Sequence, residues 1–171
     1  MDSHPIGADS PAEAAGPSGH RLARTVLEAW LRLRAIDGVG DLTALQLVRH
    51  WHSPDAVLQA SRDDLIQHGC SPQLADAIRR GPDGTACRNI ERELTAIERE
   101  RIDVLSLFDP AYPARLKMIA DPPPLLYITG TLTEQDELAV AIVGARRATA
   151  AGRVLTEELS HDLAAAGMTV V

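Results

Sequence analysis

Apolar positions recur three and four residues apart through the first half of the chain and then give way to short unbroken apolar runs. Leu22, Val26, Trp30 and Leu33 form one helical stripe, and Leu45, Leu47, Val48 and Trp51 form a second. Between them, Ile36 to Ala44 breaks the period with Gly38 and Gly40, which predicts two helices joined by a tight turn. Ser61-Arg62-Asp63-Asp64 has the character of a helix start, and Gly69-Cys70-Ser71-Pro72 separates that helix from another around Leu74 to Ile78. Residues 21–82 therefore read as a small all-helical domain, ended by the turn-forming Gly81-Pro82-Asp83-Gly84. Next, Ile90, Leu94 and Ile97 mark the buried stripe of a helix whose Glu and Arg residues form a solvated face. Ile102 to Phe108 and Leu125 to Ile128 have the length and composition of strands. A third apolar run, Val140 to Val143, leads through Gly144 into a helix from about Thr149 to Ala166, and Met168 to Val171 opens a further strand. Helices followed by strand, helix and strand predict an α/β protein whose second domain, residues 86–171, is the beginning of a parallel sheet.

The turn at Gly144 is the segment with the most specific chemistry. A helix N-terminus presents unpaired N–H groups and a partial positive charge, so an anion is stabilised there without a catalytic residue. A dinucleotide-binding turn would carry a second glycine where this chain has Arg146, so a buried dinucleotide is not expected. A guanidinium at that position instead predicts phosphate held by a charged fork together with backbone N–H groups. The candidate phosphate site is Gly144, Ala145 and Arg146, with Arg147 and Arg153 as auxiliaries by charge and proximity. Arg115 and Lys117 are further candidates for one basic patch. A second candidate is the turn Gly38-Val39-Gly40, which resembles the hairpin of helix-hairpin-helix modules, whose backbone N–H groups can meet a nucleic-acid phosphate. Asp37 and Asp41 flank it and would repel phosphate, so a purely architectural helix pair and a protein-binding helix pair stand beside the phosphate reading.

Charge limits where nucleic acid can bind. The 171 residues carry a net charge of −7, so any such contact must come from a local patch and not from a basic surface. The two cysteines, Cys70 and Cys87, are too few and too far apart for a zinc framework or a redox pair, and the histidines lack metal-site spacing. No metal and no cofactor is expected. Neither acid nor histidine occurs between Val140 and Arg153, so no catalytic residue is assigned, and Glu157 and Glu158 read as solvent-facing. Trp30, Trp51, Tyr112 and Tyr127 read as packed side chains rather than stacking platforms. Residues 1–20, rich in Ala, Gly, Pro and Ser, predict a disordered tail, and no signal peptide or membrane-spanning run is apparent, so a cytoplasmic location is expected.

From Asp109 to Gly152 the order of motifs is distinctive. Tyr112-Pro113, Leu116, Asp121-Pro122-Pro123, Leu126-Tyr127, Gly130 and Val143-Gly144-Ala145-Arg146 follow one another as they do in the DNA-processing protein A (DprA, or Smf) family, which this chain resembles over about residues 21–171. The resemblance implies an N-terminal helical domain and an extended Rossmann-like domain. It implies a protein that is not an enzyme, that binds single-stranded DNA without sequence preference, and that helps load the RecA recombinase in natural transformation. Carried onto this sequence, the arginine of the DNA pocket is Arg146, with Gly144 making room at the turn.

Two departures qualify that expectation. Ala145 stands where the family usually has serine, which removes a hydroxyl able to contact phosphate. The family's later motif, Ser-Gly-x-Ala-x-Gly-Ile-Asp, is not among these residues, so the chain reads as an N-terminal portion, truncated within the Rossmann-like domain. Reduced or absent activity is then expected, with the homodimer and RecA surfaces of the complete family missing. A nucleotide-phosphate hydrolase and a helical protein-interaction module are the two alternative functions.

Overall fold

The computed structural model describes residues 22–171; the expected tail over residues 1–20 lies outside the described residues. Helices occupy the N-terminal part: α1 (Arg24–Arg34), α2 (Asp41–Trp51), α3 (Pro54–Gln59), α4 (Arg62–Gln67), α5 (Pro72–Arg80) and α6 (Gly84–Arg99). Then come β1 (Asp103–Ser106), the single-turn α7 (Ala114–Lys117), β2 (Leu125–Ile128), a 3₁₀ segment (Glu134–Leu138), β3 (Ala139–Val140), α8 (Ala150–Ala165) and β4 (Thr169–Val170). The protein is thus of mixed α and β structure.

Local chemistry explains most of the helix starts. Ser53, Ser61, Ser71, Asp83 and Thr149 each place a side-chain oxygen on the N–H three residues on, at Ala56, Asp64, Leu74, Ala86 and Gly152. Such a bond satisfies an otherwise orphaned donor and stabilises a helix by about 1 kcal/mol. Pro54 and Pro72 follow two of these caps at the first helical position, where the missing N–H has no cost. The predicted starts at Ser61 and Ser71 are therefore observed. Helix α3 was not expected, because six residues are too few to establish a period; its Ser53-Pro54 start is its only local signal.

One hydrophobic core joins the helices to the first two strands. Leu27, Trp30, Leu31 and Leu33 from α1 meet Leu45 and Val48 from α2, Val57 from α3, Leu65 from α4, Ile78 from α5 and Ile90, Leu94 and Ile97 from α6. Val104, Leu105, Leu107, Tyr112 and Leu125 belong to the same cluster. Trp30 and Leu33 are fully buried, each contributing about 1.5–3 kcal/mol relative to an exposed side chain. The Leu22 amide donates to the Val104 carbonyl, and the Trp30 ring lies 6.3 Å from that of Phe108. The core therefore continues across Gly81–Gly84.

Strand pairing is more limited than a single parallel sheet. β1 and β2 form an antiparallel ribbon with Val104 opposite Tyr127, while β3 and β4 form a separate parallel pair, Ala139 opposite Thr169. The expected strand Ile102 to Phe108 is shorter, because the chain turns at once into a corner. There Asp109 accepts the Ala111 amide at 2.8 Å and the Tyr112 hydroxyl donates to the Pro123 carbonyl at 2.9 Å. The Leu107 amide reaches the Pro124 carbonyl at 3.0 Å, and Lys117 Nζ donates to the Asp109 carbonyl at 2.8 Å. The Tyr-Pro and Asp-Pro-Pro motifs thus build this corner, and Asp109 is a turn former as expected.

The 3₁₀ segment is tied to β4 by one carboxylate. Asp136 accepts from the Thr133 amide at 2.7 Å and from the Thr169 hydroxyl at 3.0 Å, and these bonds hold its carboxyl below the usual carboxylate range. A depressed folded-state value means the tether is present above the unfolded pKa and is lost as pH falls through the folded one, in the acid region below about pH 4. Asp136→Asn mimics the protonated state, and limited proteolysis at neutral pH should show faster cleavage near residues 130–140 in that variant.

Candidate nucleic-acid interface

The candidate phosphate turn follows directly from β3. The Val171 amide donates to the Val140 carbonyl and the Ile142 amide to the Val171 carbonyl, both at 2.9 Å, which fixes the strand as far as Ile142. Residues 141–149 then run without regular structure to Thr149. Thr149 Oγ1 accepts the Gly152 amide at 3.1 Å. A Cβ on residue 152 would lie 3.2 Å from that oxygen, so glycine lets the cap close. The amides of Ala150 and Ala151 have no acceptor among the described residues. This is the donor-rich, positively polarised helix end that the sequence predicts.

Arg146, Arg147 and Arg153 are exposed around this helix start. Among the described residues, none of their guanidinium groups has an ion pair or a side-chain hydrogen bond. Some arginines elsewhere are engaged, Arg24 with Glu91 and Glu98, Arg34 with Asp41 and Arg62 with Asp76, while others such as Arg49 and Arg115 are exposed like those of the loop. A Cβ at Gly144 would meet nothing within 4 Å, and its φ is not in the left-handed region, so packing within the chain does not require glycine there. Ala145 is exposed beside it.

The other candidates are placed differently. Arg115 and Lys117 lie on α7, and the Lys117 ammonium is already committed to the Asp109 carbonyl. In the glycine turn Val39 is buried and its amide donates to the Ile36 carbonyl at 3.0 Å, so that N–H is taken. Gly38 has φ 88°, and a Cβ there would touch Leu74 at 3.4 Å, so this turn packs against α5. Gly40 is exposed and precedes α2, and Asp41 pairs with Arg34 at 2.9 Å. These contacts give the turn a packing role within the helical region.

Among the described residues no group of three or more His, Cys, Asp or Glu side chains is arranged to hold a metal ion, and no helix is long and apolar enough to cross a membrane. Glu157 and Glu158 are exposed on α8. Sequence reasoning did not find the aromatic group at the end of α2, where the His50 ring lies 3.8 Å from that of His68 and 4.4 Å from that of Trp51. Its members are eighteen residues apart, and no local pattern marks them.

The chain is thus of mixed α and β structure, with exposed arginines in the loop before a helix start. Residues 103–171 match the family described as DNA recombination-mediator protein A. Protein Smf of Borreliella burgdorferi is 33% identical over 82 residues, which is 48% of this chain and 26% of that protein. DNA processing protein DprA of Bacillus subtilis is 27% identical over 128 residues, 70% of this chain and 43% of that protein. These matches, at modest identity and partial coverage, make the chain similar to proteins of the DprA/Smf type. It spans less than half the length of either relative.

Proposed function

We propose that the chain is a DNA-processing protein of the DprA type, acting in recombination by binding single-stranded DNA without reading its sequence. One observation carries this reading: three exposed arginines, Arg146, Arg147 and Arg153, lie within eight residues of chain on either side of a helix start, and none has an ion pair or side-chain hydrogen bond among the described residues. In a chain of net charge −7, three exposed arginines within eight residues form a local cationic segment that attracts an external anion. The open space at Gly144 gives a phosphate room to approach the backbone. Phosphate contacts position a strand and carry no base information, so binding is expected to depend on salt more than on sequence. Assistance to RecA, a homodimer in the complete protein and a cytoplasmic location belong to the same proposal by family resemblance.

Hydrolysis is disfavoured, because no carboxylate or imidazole lies between Val140 and Arg153 to activate water. The unit formed by β3, α8 and β4 buries no α8 residue, and Val154, Leu155 and Leu159 are exposed. We read it as an incomplete half of a Rossmann-like domain, covered by further polypeptide in the working protein, so the present chain should bind DNA weakly.

Fluorescence anisotropy of a labelled strand of about 20 thymidines, at low and moderate salt, tests this. Arg146→Ala should weaken binding by about tenfold or more, as expected for a charge-assisted contact, and lower the log–log salt slope by about 0.7 per phosphate lost. Equal binding by the parent and Arg146→Ala would remove the phosphate assignment.

A further inference from the structure

A cleft of about 600 Å³ lies between α1 and α6, on a different part of the molecule from the Arg146 loop. Its lining is mostly apolar: Ile90 is buried at its base, and the half-buried Cys87 thiol lies beside it. Five charged side chains edge it, and their pairing is uneven. Glu28 is paired with Arg32 at 3.5 Å, and Glu91 is paired with Arg24 at 3.6 Å. Arg88 and Arg92, one turn apart on α6, reach only neutral oxygens, those of Thr85 at 3.0 Å and of Asn89. Both acids of the cleft are thus neutralised within the chain, and two exposed cations remain above an apolar floor.

We propose that this cleft is a docking site for an acidic polypeptide segment that lays an apolar side chain on Cys87 and Ile90 and sets carboxylates against Arg88 and Arg92. Charge complementarity supplies the sign, since guanidinium forks bind carboxylates in charge-assisted pairs. The apolar floor under an arginine rim has the anatomy of a protein interface. Nucleic acid fits less well. No aromatic side chain lines the cleft to stack a base, and its apolar floor offers nothing to a sugar–phosphate backbone. The site is independent of the DNA-binding proposal, because none of its residues belongs to the loop at 141–153.

A selection from a random library of about 12-residue peptides tests the proposal, with the R88E/R92E chain as the counter-target. Arg88→Gln with Arg92→Gln serves as a second pair if the charge reversal disturbs α6, with helicity checked by circular dichroism. The selected peptides are then assayed for protecting Cys87 from a maleimide. Cys70 is buried, and its thiol is pushed up by that burial, so labelling reports Cys87. Acidic peptides with one or two large apolar residues should be enriched, bind roughly tenfold more weakly to either variant pair, slow Cys87 labelling severalfold and bind unchanged to Arg146→Ala. No enrichment over the counter-target, enrichment of peptides without acidic residues, or protection of Cys87 by a thymidine oligonucleotide in place of a peptide would each overturn the proposal.

Discussion

Replacing Tyr112 with alanine is expected to lower the melting temperature by roughly 10 °C, the counterpart of about 3–5 kcal/mol for emptying a buried aromatic site in a chain of this size. Tyr112 is 2% exposed and lies within the main core, yet it belongs to the corner between β1 and β2 rather than to either strand. Its hydroxyl donates to the Pro123 carbonyl, and its own amide donates to the Asp109 carbonyl at 3.1 Å. Burial pushes the phenol above its ordinary value, so it stays a donor throughout the neutral range. The side chain therefore links the turn at Asp109 to the proline segment that starts β2, and removing it loses both the apolar contacts and the link. Tyr112→Phe separates the two contributions: it keeps the ring and leaves the Pro123 carbonyl without its donor, for an expected loss of about 1–2 kcal/mol. Thermal and denaturant unfolding of both variants measures the difference. A Tyr112→Ala protein that melts within a degree or two of the parent would mean that the corner does not belong to the cooperative core.

Much of this arrangement was legible from local chemistry. The helices that begin at Ser61 and Ser71 were readable because serine before an acidic first turn or before proline is a physical start signal, independent of tertiary contacts. β2 was legible as a short apolar run released by Asp121-Pro122-Pro123-Pro124. Strand direction was not. An apolar run such as Val104-Leu105 has the same composition whether its neighbour is parallel or antiparallel, and the return of the chain is set by the Tyr112 and Asp109 hydrogen bonds, which join residues up to eleven apart. The geometry of the candidate phosphate turn was readable for a related reason. A glycine, a cation pair and a threonine cap before a helix are local features, and the structure arranges them as a capped helix start beside unpartnered guanidinium groups. The α1–α6 cleft lay beyond reach. It depends on which acids are neutralised across the interface, and the pairing of Glu91 with Arg24 spans most of the helical region.

Hydrogen exchange is expected to divide the chain more sharply than any point substitution. Amides of α1, α2, α5 and α6 should be protected by opening energies approaching the global stability, whereas those of α8 should exchange at least about a hundredfold faster. The reason lies in what each helix buries. α6 sets Ile90, Leu94 and Ile97 in the core, while α8, equally long, buries none of its residues and leaves Leu155 64% exposed. A helix of that length without a packed face is marginal in water, because nucleation is unfavourable and propensity alone adds little. β3 and β4 contribute only a two-residue parallel ladder, with Val143 and Val171 largely exposed at its ends. The Arg146 loop is thus expected to sit on the least stable part of the described residues, so that ordering it around a phosphate would draw on the binding energy itself. Exchange measured with and without a thymidine oligonucleotide connects the two properties: binding at the loop should slow α8 and leave α1 to α6 unchanged. Equal protection of α8 and α6 in the free chain would show that the C-terminal unit is already a cooperative part of the fold, and the expectation of weak DNA binding would lose its physical basis.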